Sequence, residues 1–249
     1  MLRIRPKQIE TFESARADHF KSRTVQHLKE SFPRHCAVLK EEGLLEVIHY
    51  GIKRAETYGL THQSEVRLFI DLTLIFGRCF DTDLQLPWAA EILTDADLTD
   101  QLVKAQRLYA AAMDYLDRVA GPDNELIDAA LHKALNEPVE MATGDVSRFQ
   151  SAMLIKLEQL WSVKYDDMGE ETARQLIKLG ISAARRYGLK TESGVLIYIV
   201  MMYLLGVGFD RDPLFAWAAP ILNDKALDRD DKAKQLHAAA INHCERWFQ

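Results

Sequence analysis

No stretch of these 249 residues concentrates positive charge: 31 Lys and Arg stand against 37 Asp and Glu, a net charge of −6. Nucleic-acid binding rests on a basic face that neutralises phosphates, so that partner is not expected. Cysteine is scarce. Cys36, Cys79 and Cys244 are odd in number and include no CxxC pair. Such a set builds neither a disulfide framework nor a cysteine zinc site, and it suits a reducing, cytoplasmic setting. The opening residues, MLRIRPKQIETFE, contain no apolar core of a secretory signal. Long hydrophobic runs are also lacking. The longest, Val195 to Phe209, is fifteen residues with two glycines, whereas a membrane span needs about 20. It reads as a helix buried on most sides, with no membrane insertion.

What the chain does have is a segment that occurs twice. FDTDLQLPWAAEIL runs from Phe80 to Leu93, and FDRDPLFAWAAPIL from Phe209 to Leu222, 129 positions later. The same offset maps Gly51 onto Gly180, Tyr58-Gly59-Leu60 onto Tyr187-Gly188-Leu189 and Gly77 onto Gly206. Between 51 and 93, eighteen of 43 positions are identical without a gap, far above chance. One residue then drops out, and Lys104-Ala105 aligns with Lys232-Ala233. The expected organisation is therefore an internal duplication. Copy one covers 1–119 with an N-terminal helix, a connecting segment with a short helix and Pro138 covers 120–148, and copy two covers 149–249.

Each copy reads as helices. In KEEGLLEVIHYGIKRAETYG, Leu44, Val47, Ile48, Ile52 and Ala55 share one 3.6-residue face, and Gly59 is placed to end the helix. Asp167 and Glu170 have capping-box spacing at the start of the matching helix in copy two. No stretch alternates as a strand does. The predicted fold class is all-α, about five helices per copy, packed with pseudo-symmetry along a shared apolar seam.

The repeated segment carries the candidate site residues. Asp83 and Asp212 each precede an apolar run, and Pro213 follows the second, as expected for helix N-caps. Asp81 and Asp210 are expected to stabilise the same turn or the end of the preceding helix, with Phe80, Trp88, Phe209 and Trp217 as core anchors. Two carboxylates in one turn can also bind a divalent cation or act as acid and base. Here they come with no third ligand, no nearby histidine and no glycine-rich loop, so no metal, cofactor or catalytic residue is assigned. The acidic run DDMGEE, Asp166 to Glu171, reads as an acidic helix start, and the histidines form no triad order.

One helix face changes character between the copies. Arg67, Asp71, Leu74 and Arg78 correspond to Leu196, Val200, Tyr203 and Val207. Arg67 and Asp71 are spaced to pair across a helical turn. The apolar stripe that replaces them needs cover. Either the rest of the chain supplies it, or the stripe is a groove for a partner helix; it is the candidate partner-binding face.

The strings ESFPRHC, YGL, IDLTLIFGRCFDTD and LPWAAEIL, mainly within 1–119, resemble a group of α-helical bacterial proteins encoded among type VI secretion genes. Copy two departs from that pattern, with Ala216 for Pro87, Val200 for Asp71 and Tyr165 for Cys36. The resemblance implies a cytoplasmic, non-enzymatic accessory protein, an adaptor or co-chaperone for a secretion effector or its loading chaperone. An immunity protein that neutralises a neighbouring toxin is the alternative. A helical enzyme or binder of a metal or small ligand is the third reading.

Overall fold

The computed structural model describes the backbone of residues 6–136 and 144–248 and the side chains of 15–136 and 144–245; Pro138 lies outside them. Every regular element among the described residues is helical, in line with the all-α expectation. The first half consists of α1 (Pro6–Ser31), α2 (Pro33–Thr57), α3 (Gln63–Phe76), α4 (Pro87–Thr94) and α5 (Gln101–Val119). After α6 (Glu125–Asn136) the second half runs α7 (Val146–Leu160), α8 (Ser162–Met168), α9 (Glu170–Arg186), α10 (Glu192–Leu205), α11 (Ala218–Asn223) and α12 (Arg229–Phe248). Short 3-10 turns cover Phe80–Thr82, Pro122–Asn124, Phe209–Arg211 and Pro213–Phe215. No helix among the described residues is long and apolar enough to cross a membrane.

Local chemistry accounts for most helix boundaries. Asp100 caps α5 by accepting from the Leu102 and Val103 N–H groups, Asp145 caps α7 through Ser147 and Arg148, and Thr191 caps α10 through Gly194. Of the α2 face read from the sequence, Leu44, Val47, Ile48 and Ala55 are buried and Ile52 is half-buried, with Gly51 buried beside them. The helix breaks sharply at Lys40, whose φ of 55° is unusual for a residue with a side chain. The second half breaks at the matching position with Gly169, at φ 77°, and so separates α8 from α9. Gly169 thus stands at the N-cap of α9, and Asp167, expected there, pairs with Arg118 of α5 instead.

Contacts recur between the halves at the sequence offset. A Cβ on Gly51 would lie 2.6 Å from Ile70 Cγ1, and one on Gly180 2.5 Å from Ile199 Cγ1. Phe69 packs on Phe80, and Tyr198 on Phe209. Lys104 is buried and donates to the carbonyls of Tyr58 and Leu93, while Lys232 donates to those of Tyr187 and Leu222. Each lysine thereby ties the C-terminal end of one helix to the loop after another. The sequence aligned the two lysines without showing that they sit inside.

α10 is apolar on every side, and α6, α7, α9 and α12 surround it. Its end meets the end of α3. Gly77 (φ 93°) and Gly206 (φ 91°) close the two helices, and a Cβ on either would sit 3.2 Å from Leu205 O or 3.0 Å from Phe76 O. Backbone passes backbone here, so a methyl group on either glycine would press on a carbonyl oxygen of the other helix. Gly169 shares nearly the same φ and ψ but has open space around it. Its change to alanine carries backbone strain alone, about 1–3 kcal/mol. Gly77→Ala and Gly206→Ala are expected to be clearly more destabilising than Gly169→Ala in urea unfolding. Equal costs for the three would contradict the close approach.

Candidate functional site

The crossing of α3 and α10 leaves two backbone N–H groups just past the helix ends, those of Arg78 and Val207. Each is met by a carboxylate from the opposite half. Asp83 Oδ2 accepts from Val207 N–H at 2.7 Å, and Asp212 Oδ2 accepts from Arg78 N–H at 2.7 Å. The second oxygen of each works locally: Asp83 Oδ1 accepts from Gln85 N–H and Asp212 Oδ1 from Leu214 N–H, both at 2.9 Å. Asp212 therefore caps the 3-10 turn that begins at Pro213, whereas α4 starts after Leu86, so Asp83 closes a turn at Gln85 and is not the N-cap expected of it; both side chains also bridge the halves. Both carboxylates are buried, and burial raises their pKa values against the opposing effect of the backbone N–H groups.

Asp81 and Asp210 correct the sequence expectation, since neither caps a helix in the structure. Asp81 Oδ2 accepts from Arg54 Nε at 2.6 Å and from the Tyr58 hydroxyl at 2.9 Å. Asp210 Oδ2 accepts from the Tyr187 hydroxyl at 2.7 Å and the Tyr198 hydroxyl at 3.0 Å. They fasten the repeated turn to the C-terminal ends of α2 and α9. Burial, with the hydrogen bond to a carboxylate, pushes the Tyr58 and Tyr187 hydroxyls up to about 12. A signal for this was present, because both halves retain the tyrosine of the Tyr-Gly-Leu triplet together with the aspartate. Among the described residues no three His, Cys, Asp or Glu side chains come together to hold a metal ion.

Phe80 and Phe209 are buried as anchors. Trp88 and Trp217 are half-buried, each with its indole N–H enclosed and without a hydrogen-bond partner. Leu196, Val200 and Tyr203 are buried within the chain and Val207 is half-buried. The chain itself covers that stripe, so it offers no open docking groove. Tyr203 also donates its hydroxyl to Trp161 O. In the first half, Asp71 pairs with His27 of α1 at 2.9 Å rather than with Arg67. Arg78 reaches Glu46 and stacks over the Tyr50 ring.

Beside the joint lies a cleft of about 620 Å³. It is walled by the ends of α3, α5, α10 and α12, by α6 and by the turns at Asp83 and Leu214. Most of the wall is apolar or aromatic, with Phe76, Tyr115, Ile127, Trp161 and Phe215 among the larger groups. Asp83, Gln85 and Lys164, which sequence reasoning did not bring together, meet there, and Arg34, Asp123, Asn124 and Asp128 also line the cleft. The Lys164 ammonium donates to Tyr203 O and lies 4.8 Å from the Trp161 ring centre. His35 and His243 also line the cleft; burial, with the proximity of His243, lowers the His35 imidazole to about 4. The arrangement suits the holding of a mostly apolar body against a few fixed polar groups.

Burial lowers Lys164 from its ordinary 10.5 to about 8, although Asp83 opposes the shift. An unfolded chain keeps that proton until near 10.5, so between the two values the unfolded state binds more protons than the folded one. Stability then rises with pH across this window. Compared with a Lys164→Met variant, the native chain is expected to gain stability from about pH 8 to about pH 9.5, read from urea midpoints. A constant difference between the two proteins would contradict the buried, partly neutral amine.

No protein-family model, no curated protein and no solved structure matches this chain.

Proposed function

We propose that the chain is an internally duplicated helical repeat with a pseudo-twofold axis at the joint, and that it works as a non-enzymatic protein-binding accessory factor. The recurrence of the aspartate bridges, the lysine ties and the aromatic pairs at one offset supports the duplication. The observation that carries the binding role is an exposed apolar face on α5. Tyr109 is 55 % exposed, Leu102 53 % and Val103 38 %. Leu102 and Tyr109 are seven apart, on one face of the helix.

The corresponding positions on α12 are Asp230, Asp231 and His237. His237 is half-buried there and lies against the backbone of Ala134 in α6. α6 thus touches α12 at His237 only, while Asp230 and Asp231 are exposed, and no described helix takes the matching place over α5. Where cover is missing, the chain presents a tyrosine, a leucine and a valine. The occupant proposed is an amphipathic helix of a protein partner, seated along α5 over Leu102 and Tyr109. The resemblance to proteins encoded among type VI secretion genes supplies the partner class, an effector or the chaperone that loads it.

The test is affinity capture from the source cells with the native chain and a Leu102→Asp/Tyr109→Asp variant. Both changes lie on an exposed face, so the variant is expected to keep its helical signal and melting temperature. It should lose a protein that the native chain captures in stoichiometric amount. Retention of every captured protein by the folded variant would overturn the reading. So would sedimentation showing that a second copy of the chain covers this face. A toxin as the captured protein would assign the face to an immunity role instead.

A further inference from the structure

Helices α7 and α9 pack together and leave a shallow trough of about 340 Å³ along their outer surface. Val146 and Gln150 of α7 line one side, Lys178, Ser182 and Arg185 of α9 the other, and Ile181 the floor. Val146 is 56 % exposed although it is apolar. Lys178 and Arg185 are exposed, and neither side chain has a hydrogen-bond or ion-pair partner among the described residues. They are seven apart on one face of α9, about 10.5 Å along its axis.

The neighbouring charges leave those two cations open. Among the described residues no carboxylate lines the trough. Arg174, one turn before Lys178, is held by Glu170, and Glu158 stands at that same end, around Tyr165. At the start of α7, Asp145 accepts from the Ser147 and Arg148 N–H groups, and Glu192 accepts from the Gly144 N–H. The first half has no such row. At the repeat offset, Lys178, Ser182 and Arg185 correspond to His49, Lys53 and Glu56, and Val146 to Ala17. Two unpaired cations beside an exposed valine are therefore a feature of the second half alone.

A guest that fits has an apolar stripe with negative charge at both ends. A helix laid along the trough meets that requirement, because its own residues seven apart are also separated by about 10.5 Å. We propose that the α7–α9 trough binds an acidic amphipathic helix of a protein partner, with two carboxylates seven residues apart on Lys178 and Arg185 and the apolar residues between them on Val146 and Ile181. The site is separate from the outer face of α5.

The probe is a synthetic alanine-rich helix with blocked ends, a neutral fluorophore, two glutamates seven apart and two leucines between them. Anisotropy titration with the full chain is expected to show saturable binding, one site per chain, that weakens as salt rises from about 50 to about 300 mM. A peptide with glutamine in place of both glutamates should bind about 3- to 10-fold more weakly. Lys178→Glu/Arg185→Glu should lose the glutamate peptide and take up one with lysines in their place. Both changes lie on an exposed surface, so this variant is expected to keep its melting temperature. Leu102→Asp/Tyr109→Asp should bind the glutamate peptide as the native chain does, which separates this site from the α5 face. Absence of saturable binding, equal affinity for the glutamate and glutamine peptides, or retention of the glutamate peptide by the folded charge-reversal variant would each overturn the proposal. So would binding to phosphatidylglycerol vesicles with none to the peptide, or sedimentation showing a dimer that the charge reversal dissociates. The comparison of the two peptides needs no variant, so it holds even if the charge-reversal variant does not fold.

Discussion

Two carboxylates that cross the joint set the conditions for the rest of this structure. Helices α3 and α10 end against each other, so closely that a Cβ on Gly77 or Gly206 would press on a backbone carbonyl of the other helix. The N–H group after each glycine is turned inward, where no helix of its own half supplies an acceptor. Asp83 and Asp212 supply one each from across the joint. A neutral backbone N–H buried without a partner is costly, and a buried carboxylate is more so. Brought together, each group solves the other's problem. The glycines, the aspartates and the turns that carry them are one arrangement, and a change in any of them reaches both halves.

Around that fixed centre the halves differ in how they hold the repeated turn. The first half secures Asp81 with an arginine and a tyrosine, and the second secures Asp210 with two tyrosines. Ala183 stands where Arg54 would correspond, and Phe69 where Tyr198 would. One half thus uses a charge near the surface where the other uses a neutral hydroxyl inside. The same tendency makes α10 apolar throughout, with α6 and α12 packed over it, while α3 keeps Asp71 for His27. The added helix α6 forms part of the cleft wall and meets α12 at His237. Where α12 carries Asp230, Asp231 and His237, α5 exposes Leu102, Val103 and Tyr109, and this difference between the halves supports the functional reading.

The helices, their apolar faces and the repeated segment were legible in the sequence because they rest on local spacing and identity. Capping by Asp212 was legible for the same reason, but α4 starts later than its pattern suggested, at Pro87 after Leu86, and Asp83 does not cap it. The bridge each makes was not, because its partner lies 124 or 134 residues away and no local pattern encodes such a contact. Asp81 and Asp210 were misassigned as caps because the groups that hold them, Arg54 and Tyr58 at the end of α2 and Tyr187 and Tyr198 after α9 and in α10, lie 12 to 27 residues earlier. The stripe of Leu196, Val200, Tyr203 and Val207 was correctly seen to need cover. What covers it depends on where α6 and the neighbouring helices pack, which periodicity does not state. Lys104 and Lys232 were aligned but given no role, since nothing in composition marks a lysine whose ammonium meets two backbone carbonyls inside.

The central claim is that the two crossed aspartates hold the joint closed in the native state. Native-state hydrogen exchange of the Arg78 and Val207 amides measures this most directly. If the account is right, both amides exchange only when the whole molecule opens, with the same free energy as global unfolding and the same dependence on urea. Fast exchange of either amide through a local opening, while the helices on both sides remain protected, would show that the carboxylates do not close the joint.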